Sequence, residues 1–281
     1  MKRRRSKSAK LPAPIRRHYE STAERSRLLA HAGRLEFYRT KEIILRHMRG
    51  KRLVVLDVGG GPGAYAMWLA ELGHLAHLVD PVAKHVQQAE DAPVSQLGAR
   101  LKSAAVGDAR ELKFADKSAD IVLLLGPLYH LVKKRDRMRA LAEARRALKP
   151  GGLLFAAAIS RFASALDGMF HGYMKDAEFF KIVKRDLRTG QHRNPTKRPE
   201  YFTTAFFHTP KELEAEIREA GFALVKLYAV EGAAWMLHDF DSVWRQPKLR
   251  ARMLHVLHAT ETEPELIGQS AHMVAVARKP R

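Results

Sequence analysis

Strand-length apolar runs alternate with helix-spaced apolar positions along most of this chain. Residues 53–56, 75–79, 103–106, 119–125 and 153–159 are short, mainly aliphatic runs. Such runs predict strands buried on both faces, as in a parallel sheet. Between them the period changes. Ala66, Met67, Leu69 and Ala70 recur at helix spacing from Ala64 onward, and residues 136–148 place Met138, Leu141, Ala144 and Leu148 on one face. Thr209 as N-cap, Pro210 in the first turn and Glu212 at the capping-box position open another helix, which runs to Gly221. Residues 222–230 and 272–277 read as two last strands. Residues 15–48 read as two helices, with Gly33 breaking the pattern. Strands alternating with helices predict an α/β fold.

The turn after the first run concentrates the chemistry. Asp57 is followed by Gly59, Gly60, Gly61, Pro62 and Gly63, and then by the helix. A glycine turn between strand and helix lets a ligand approach the backbone closely. Two cofactor classes use such a turn. Gly59-x-Gly61-x-x-Ala64 fits the dinucleotide fingerprint, so NAD is one reading. Asp57-x-Gly59-x-Gly61-x-Gly63 fits another, with an acid at the strand's end. A pyrophosphate gains nothing from a carboxylate there, whereas the α-ammonium of S-adenosylmethionine (SAM) does. Asp57 therefore favours SAM. Asp80 ends the second run at the distance suited to a ribose diol, which both cofactors carry. Asp108, in Gly107-Asp108-Ala109-Arg110, is placed to accept from an adenine amino group.

The segments VLDVGGGPG (55–63), HLVDP (77–81), VGDAREL (106–112), DIVLLLGPLYHL (120–131) and ALKPGGLL (147–154) follow one another in order. In sequence and spacing the chain resembles the class I SAM-dependent methyltransferases, in particular the ubiquinone/menaquinone-methyltransferase-like group. The resemblance covers residues 53 to about 159. It implies a Rossmann-like, seven-stranded, mostly parallel sheet with helices on both faces, the last strand antiparallel, and helical cap and lid insertions. It further implies that Asp57, Gly59, Gly60, Gly61 and Gly63 hold the methionine part of SAM, that Asp80 holds the ribose with Pro81 beside it, and that Asp108–Ala109 hold the adenine. Leu125 and Gly126 complete that cofactor set. An N-terminal helical segment is expected over the SAM pocket, with Tyr19 and Arg39 as its contacts, Arg39 through the SAM carboxylate or a substrate anion. S-adenosylhomocysteine (SAH) is the implied product.

Composition narrows the reading. There are no cysteines, which excludes disulfides, thiolate metal sites and a cysteine nucleophile. No apolar run reaches the ~18–20 residues of a membrane helix, and the basic N-terminus lacks the apolar region of a secretory signal. A cytoplasmic protein is expected. The formal charge is +20, and residues 1–17 carry eight Lys/Arg and no acid. Residues 1–14 are expected to be a disordered basic tail, residues 15–50 a helical cap and residues 51–281 the core. The tail reads as a solubilising extension or as a nucleic-acid contact. Residues 133–149 add eight more Lys/Arg, read as the solvated face of a sheet-covering helix or as an RNA-facing stripe.

The acceptor end follows the fourth strand, where open α/β sheets place ligands. Tyr129 and His130 are the catalytic candidates there. An imidazole of ordinary pKa takes a proton at neutral pH, so His130 is a candidate general base. Gly126 and Leu128 argue against amino-group methylation of adenine, whose enzymes commonly carry Asp or Asn and a second proline at these places. Residues 160–209 and 231–270 are long inserts with helical stretches at 164–174 and 177–187, expected to be lids. They supply His171, Tyr173, Tyr201, Phe206, His208 and Trp235 as substrate-binding candidates. The spacing of the histidines suggests no metal site. The leading expectation is in-line methyl transfer to a small molecule in a lidded pocket. RNA methylation is the alternative, ahead of an NAD-linked enzyme or a non-catalytic SAM-binding protein.

Overall fold

The computed structural model describes residues 12–21, 27–28, 30–92, 98–196 and 198–281. Residues 1–11 of the expected basic tail lie outside them. Helix α1 (Ala13–Ser21) and helix α2 (His31–His47) form the N-terminal segment. The core follows as β1 (Val54–Val58), α3 (Ala64–Glu71), β2 (Leu75–Asp80), α4 (Ala83–Glu90), β3 (Ser103–Val106), β4 (Ala119–Leu124), α5 (Pro127–His130), α6 (Lys134–Ala147) and β5 (Leu148–Ile159). An insert then carries α7 (Ala163–Phe170), α8 (Ala177–Thr189) and a two-stranded ribbon, β6 (Gln191–His192) with β7 (Ala205–Phe206). Helix α9 (Pro210–Glu219) and β8 (Ala223–Ala229) precede a second insert with α10 (Phe240–Arg245), α11 (Pro247–Thr260) and α12 (Pro264–Ile267), and β9 (His272–Arg278) ends the sheet.

The main sheet has seven strands in the order β3-β2-β1-β4-β5-β9-β8. Strands β1 to β5 pair in parallel, and β9 is antiparallel to both of its neighbours. Alternation along β1 splits the core into two layers. Leu56 and Val58 face α6 and α9 through Ala140, Leu141, Ala144, Leu213 and Ile217. Val55 faces α2 and α3 through Ile43, Ile44, Ala66 and Leu69. The order reverses between β1 and β4, so their carboxyl ends diverge into a crevice, the place where such sheets bind ligands. No described helix is long and apolar enough to cross a membrane.

Three local expectations change. Gly33 does not break a helix but lies inside α2. A Cβ there would sit 2.2 Å from the Arg27 carbonyl oxygen, so glycine permits the incoming chain to cross the helix. Residues 164–174 are not one helix: α7 stops at Phe170, and Gly172 at φ +74° leads into a 3₁₀ turn, Tyr173–Lys175. Strand β5 begins at Leu148 rather than at 153, because Leu148 already pairs with Ala119 across a register shift. The capping box on α9 forms as expected, with Thr209 Oγ1 accepting from Glu212 N–H and Glu212 accepting from Thr209 N–H.

Candidate active site

The crevice opens into a cavity of about 1030 Å³. Four strand-end segments named from the sequence line it together: 59–63 after β1, 80–81 after β2, 108–109 after β3 and 125–126 after β4. Tyr19 from α1 and Tyr129–His130 from α5 also line it. The turn is tight. Gly59 N–H donates to the Val79 carbonyl at 2.6 Å, and Gly61 N–H donates to Asp80 Oδ2 at 2.9 Å. Gly59 has φ +71°, and a Cβ on it would lie 2.6 Å from Pro127 Cγ. Gly60 has no room either, since its Cβ would meet Asp57 Oδ2 at 2.3 Å.

Asp57 therefore lies beneath the glycines rather than in the cavity wall. It is fully buried. Its Oδ2 accepts from Ala66 N–H at 3.1 Å, and its Oδ1 has no hydrogen-bond partner among the described residues. Burial, aided by the charge of Asp80 and opposed by the Ala66 hydrogen bond, pushes its pKa up to about 7. Asp80 is better satisfied: Oδ1 accepts from Val82 N–H at 2.9 Å and meets His85 Nδ1 at 3.1 Å, while Oδ2 takes Gly61 N–H. A carboxylate offers about four lone-pair sites, so Asp80 retains capacity for a ribose hydroxyl. Asp108 accepts from Arg110 N–H and Nε, each at 2.9 Å.

This donor set suits SAM. Two carboxylates lie under the turn, which would repel a pyrophosphate and favour an ammonium or sulfonium group. Two outcomes follow. A bound cation holds Asp57 ionised, so SAM affinity is expected to rise as pH increases through about 7, with proton release; calorimetry in buffers of different ionisation enthalpy measures both, and Asp57→Asn flattens the profile. Asp80→Ala strands the Gly61 and Val82 amides and is expected to weaken SAM binding by ~1–3 kcal/mol; unchanged affinity would remove Asp80 from the cofactor site.

His130 changes role. Its Nδ1–H faces the Thr204 carbonyl at 3.5 Å, and its Nε2 accepts from the Tyr19 hydroxyl at 2.6 Å. Burial, together with the nearby His18 and Arg27 charges, pushes its pKa down to about 3. A ring that holds a proton so weakly is a poor general base. Its geometry is that of an anchor, joining α1 to α5 across the cavity.

Arg39 is a second correction. It is fully buried and turned away from the cavity, donating to Glu42 and Glu261 and to the Val230 carbonyl. The SAM carboxylate has no access to it.

A second cavity of about 300 Å³ shares Tyr19, Arg27 and Tyr129 with the first. Of the substrate candidates, Tyr201 and Trp235 line it. The other four do not. His171 is exposed and pairs with Asp167 at 2.8 Å, and Tyr173 packs on Phe179 and Tyr201 within the insert. Phe206 lies under the Arg137 guanidinium at 3.8 Å, and His208 faces Glu216 at 3.3 Å. Both point to the face opposite the cavity. The sequence reading passed over Phe202, Phe207 and His272, which line this cavity. Near it, Glu36, Glu231 and His272 bring three ligand-type atoms within 4.8 Å of one another. Arg27 already takes both oxygens of Glu36, at 2.6 and 3.2 Å.

Comparison with known proteins addresses the first cavity. The family model described as a methyltransferase domain matches residues 56–156, from β1 through most of β5. Residues 56–156 carry a methyltransferase domain. The chain is 31% identical over 187 residues to the ubiquinone biosynthesis O-methyltransferase of Azorhizobium caulinodans, covering 65% of this chain and 63% of that protein. The alignment thus spans under two thirds of that relative's length. It is 28% identical to the ubiquinone/menaquinone biosynthesis C-methyltransferase of Acidiphilium cryptum, covering 68% of this chain and 73% of the other. A SAM-dependent methyltransferase structure from Methanosarcina mazei shares the fold at TM-score 0.58 and 22% identity, covering 85% and 97%. A Pyrococcus horikoshii protein does so at 0.61 and 16%, covering 94% and 99%. The matched methyltransferase domain contains the four strand-end segments of the first cavity. Most walls of the second lie outside it.

Proposed function

We propose that this chain is a cytoplasmic SAM-dependent methyltransferase that methylates a small molecule bound in the second cavity, with residues 160–209 and 231–270 as lids. The single observation that carries the reading is the shared wall. Tyr19, Arg27 and Tyr129 border both cavities, so the two cavities adjoin at these side chains. Bound SAM supplies an electrophilic methyl group on a sulfonium. The protein's part is alignment and exclusion of water, which in-line displacement needs. Tyr129 forms the common wall, the Tyr19–His130 hydrogen bond ties α1 across it, and Tyr201, Phe202, Phe207 and Trp235 give an apolar enclosure suited to a planar ring.

The relatives' names, one an O-methyltransferase and one a C-methyltransferase of ubiquinone biosynthesis, support screening hydroxylated aromatic acceptors first. Incubation with methyl-labelled SAM and a panel of phenols and catechols is expected to give labelled product and SAH. Label retained in SAM with every acceptor, despite tight SAM binding, would favour a non-catalytic SAM-binding protein.

The RNA alternative loses much of its stripe to internal pairing. Arg137 is buried against Glu216, Arg146 pairs with Glu143 and Asp116, Lys134 with Glu219 and Lys149 with Asp120. Salt-dependent RNA affinity that survives removal of residues 1–11 would revive it.

A further inference from the structure

The second cavity holds a charged group that cofactor binding does not use. His272 opens β9, and its ring is part of the cavity wall, 6.5 Å from the Tyr129 ring. Its Nδ1 lies 2.6 Å from Glu231 Oε1, and its backbone N–H donates to Glu231 Oε2 at 3.0 Å. Glu231 is itself buried and fixed by the Ser270 hydroxyl, which donates to it at 2.8 Å and accepts from Glu231 N–H at 2.9 Å. Glu36, from α2, approaches the same Nδ1 at 4.0 Å, and Arg27 holds Glu36. Two carboxylates and one guanidinium leave one negative charge uncompensated, which a protonated His272 neutralises. A divalent ion would instead have to displace Arg27 from Glu36. With Nδ1 turned to Glu231, the other ring nitrogen, Nε2, has no hydrogen-bond partner among the described residues.

We infer that His272, oriented by Glu231, binds the acceptor as an oxyanion, with Nε2–H donating to an ionised phenolic or similarly acidic hydroxyl in the second cavity. The inference rests on the methyltransferase reading and names its substrate class. The arrangement matches the reaction's charge flow. The acceptor's hydroxyl proton leaves to solvent on binding. A lone pair of the oxyanion forms the new O–C bond, the S–C bond of SAM breaks, and its electron pair stays on sulfur to give neutral SAH. The ether product carries no charge, so its ion pair with His272 is lost, which favours release. Burial lowers the His272 pKa, but the facing charges of Glu36 and Glu231 outweigh it and the opposing Arg27, raising the value to about 9. The ring is thus imidazolium at neutral pH, a donor rather than a base. His18, Arg27, His192, Asp167 and Glu200 border the same cavity, and the Tyr129 ring lies 6.5 Å from that of His272.

The test uses full-length protein saturated with SAH and 4-nitrophenol as the probe, since its phenolate is yellow and its phenol colourless. Titration by absorbance is expected to show the bound probe ionising at a pH at least one unit below that of the free probe, a tenfold preference for phenolate. His272→Gln removes the shift. Glu231→Gln keeps the side chain's size and shrinks the shift by releasing the imidazolium. SAH affinity, measured by calorimetry on the same samples, reports whether each variant is folded. Three results would overturn the inference: a probe that does not bind the SAH complex, one that ionises as it does free in solution, or one that keeps its shift in His272→Gln. Failure of SAH itself to bind would instead strike the methyltransferase reading. The wild-type titration alone suffices to refute the oxyanion site.

Discussion

Arg39→Ala is expected to lower unfolding stability by roughly 3–5 kcal/mol, the usual loss when one partner of a buried ion pair is removed. The SAM affinity of the folded protein should stay within about twofold, because the change is remote from the cavity. Arg39 has no exposed surface, and it holds three groups on separate elements: Glu42 one turn along α2, Glu261 just after α11, and the Val230 carbonyl just after β8. Truncation leaves Glu261, itself buried, to Arg46 alone and leaves the carbonyl without this donor. Chemical denaturation gives the stability and calorimetry the affinity. A variant of normal stability that had lost SAM would return Arg39 to the cofactor site.

Gly59→Ala is expected to cost roughly 2–4 kcal/mol, combining backbone strain with overpacking, and to weaken SAM binding at least about tenfold by displacing the turn. A methyl group at φ +71° would stand 2.6 and 2.8 Å from Pro127 Cγ and Cδ. Relief requires the β1 turn and the start of α5 to separate, which opens the crevice. Gly73→Ala is the control. It has φ +84° but nothing within 4 Å of an added Cβ. It carries only the backbone term, roughly 1–2 kcal/mol, and should leave SAM binding intact. Equal effects at the two glycines would mean that contact with Pro127 is unimportant.

The first cavity was legible because its parts are local. Each acid sits at the end of an apolar run, and parallel strands bring all their carboxyl ends to one edge. The second cavity was not, for two physical reasons. Side-chain direction in short strands depends on a one-residue register. In the stretch around β7, Ala205 and Phe207 pack with Tyr129, while Phe206 and His208 turn to Arg137 and Glu216. The aromatic run was visible in the sequence, but which of its members face the ligand was not. Charge clusters are also assembled from distant segments. Glu36, Glu231 and His272 come from α2, the segment after β8 and the start of β9, and no spacing links them. The same holds for Arg39, whose partner Glu261 lies 222 residues away. His130 lines the first cavity, and its pKa depends on burial that sequence alone does not reveal.

Calorimetric titration of the full chain with SAM, SAH and NADH tests the central claim most directly. One site per chain with micromolar affinity for SAM and SAH, no heat with NADH, and markedly weaker SAM binding in Gly59→Ala is the predicted result. NADH binding without SAM or SAH would contradict it, and would make Asp57 a structural residue beneath a dinucleotide turn.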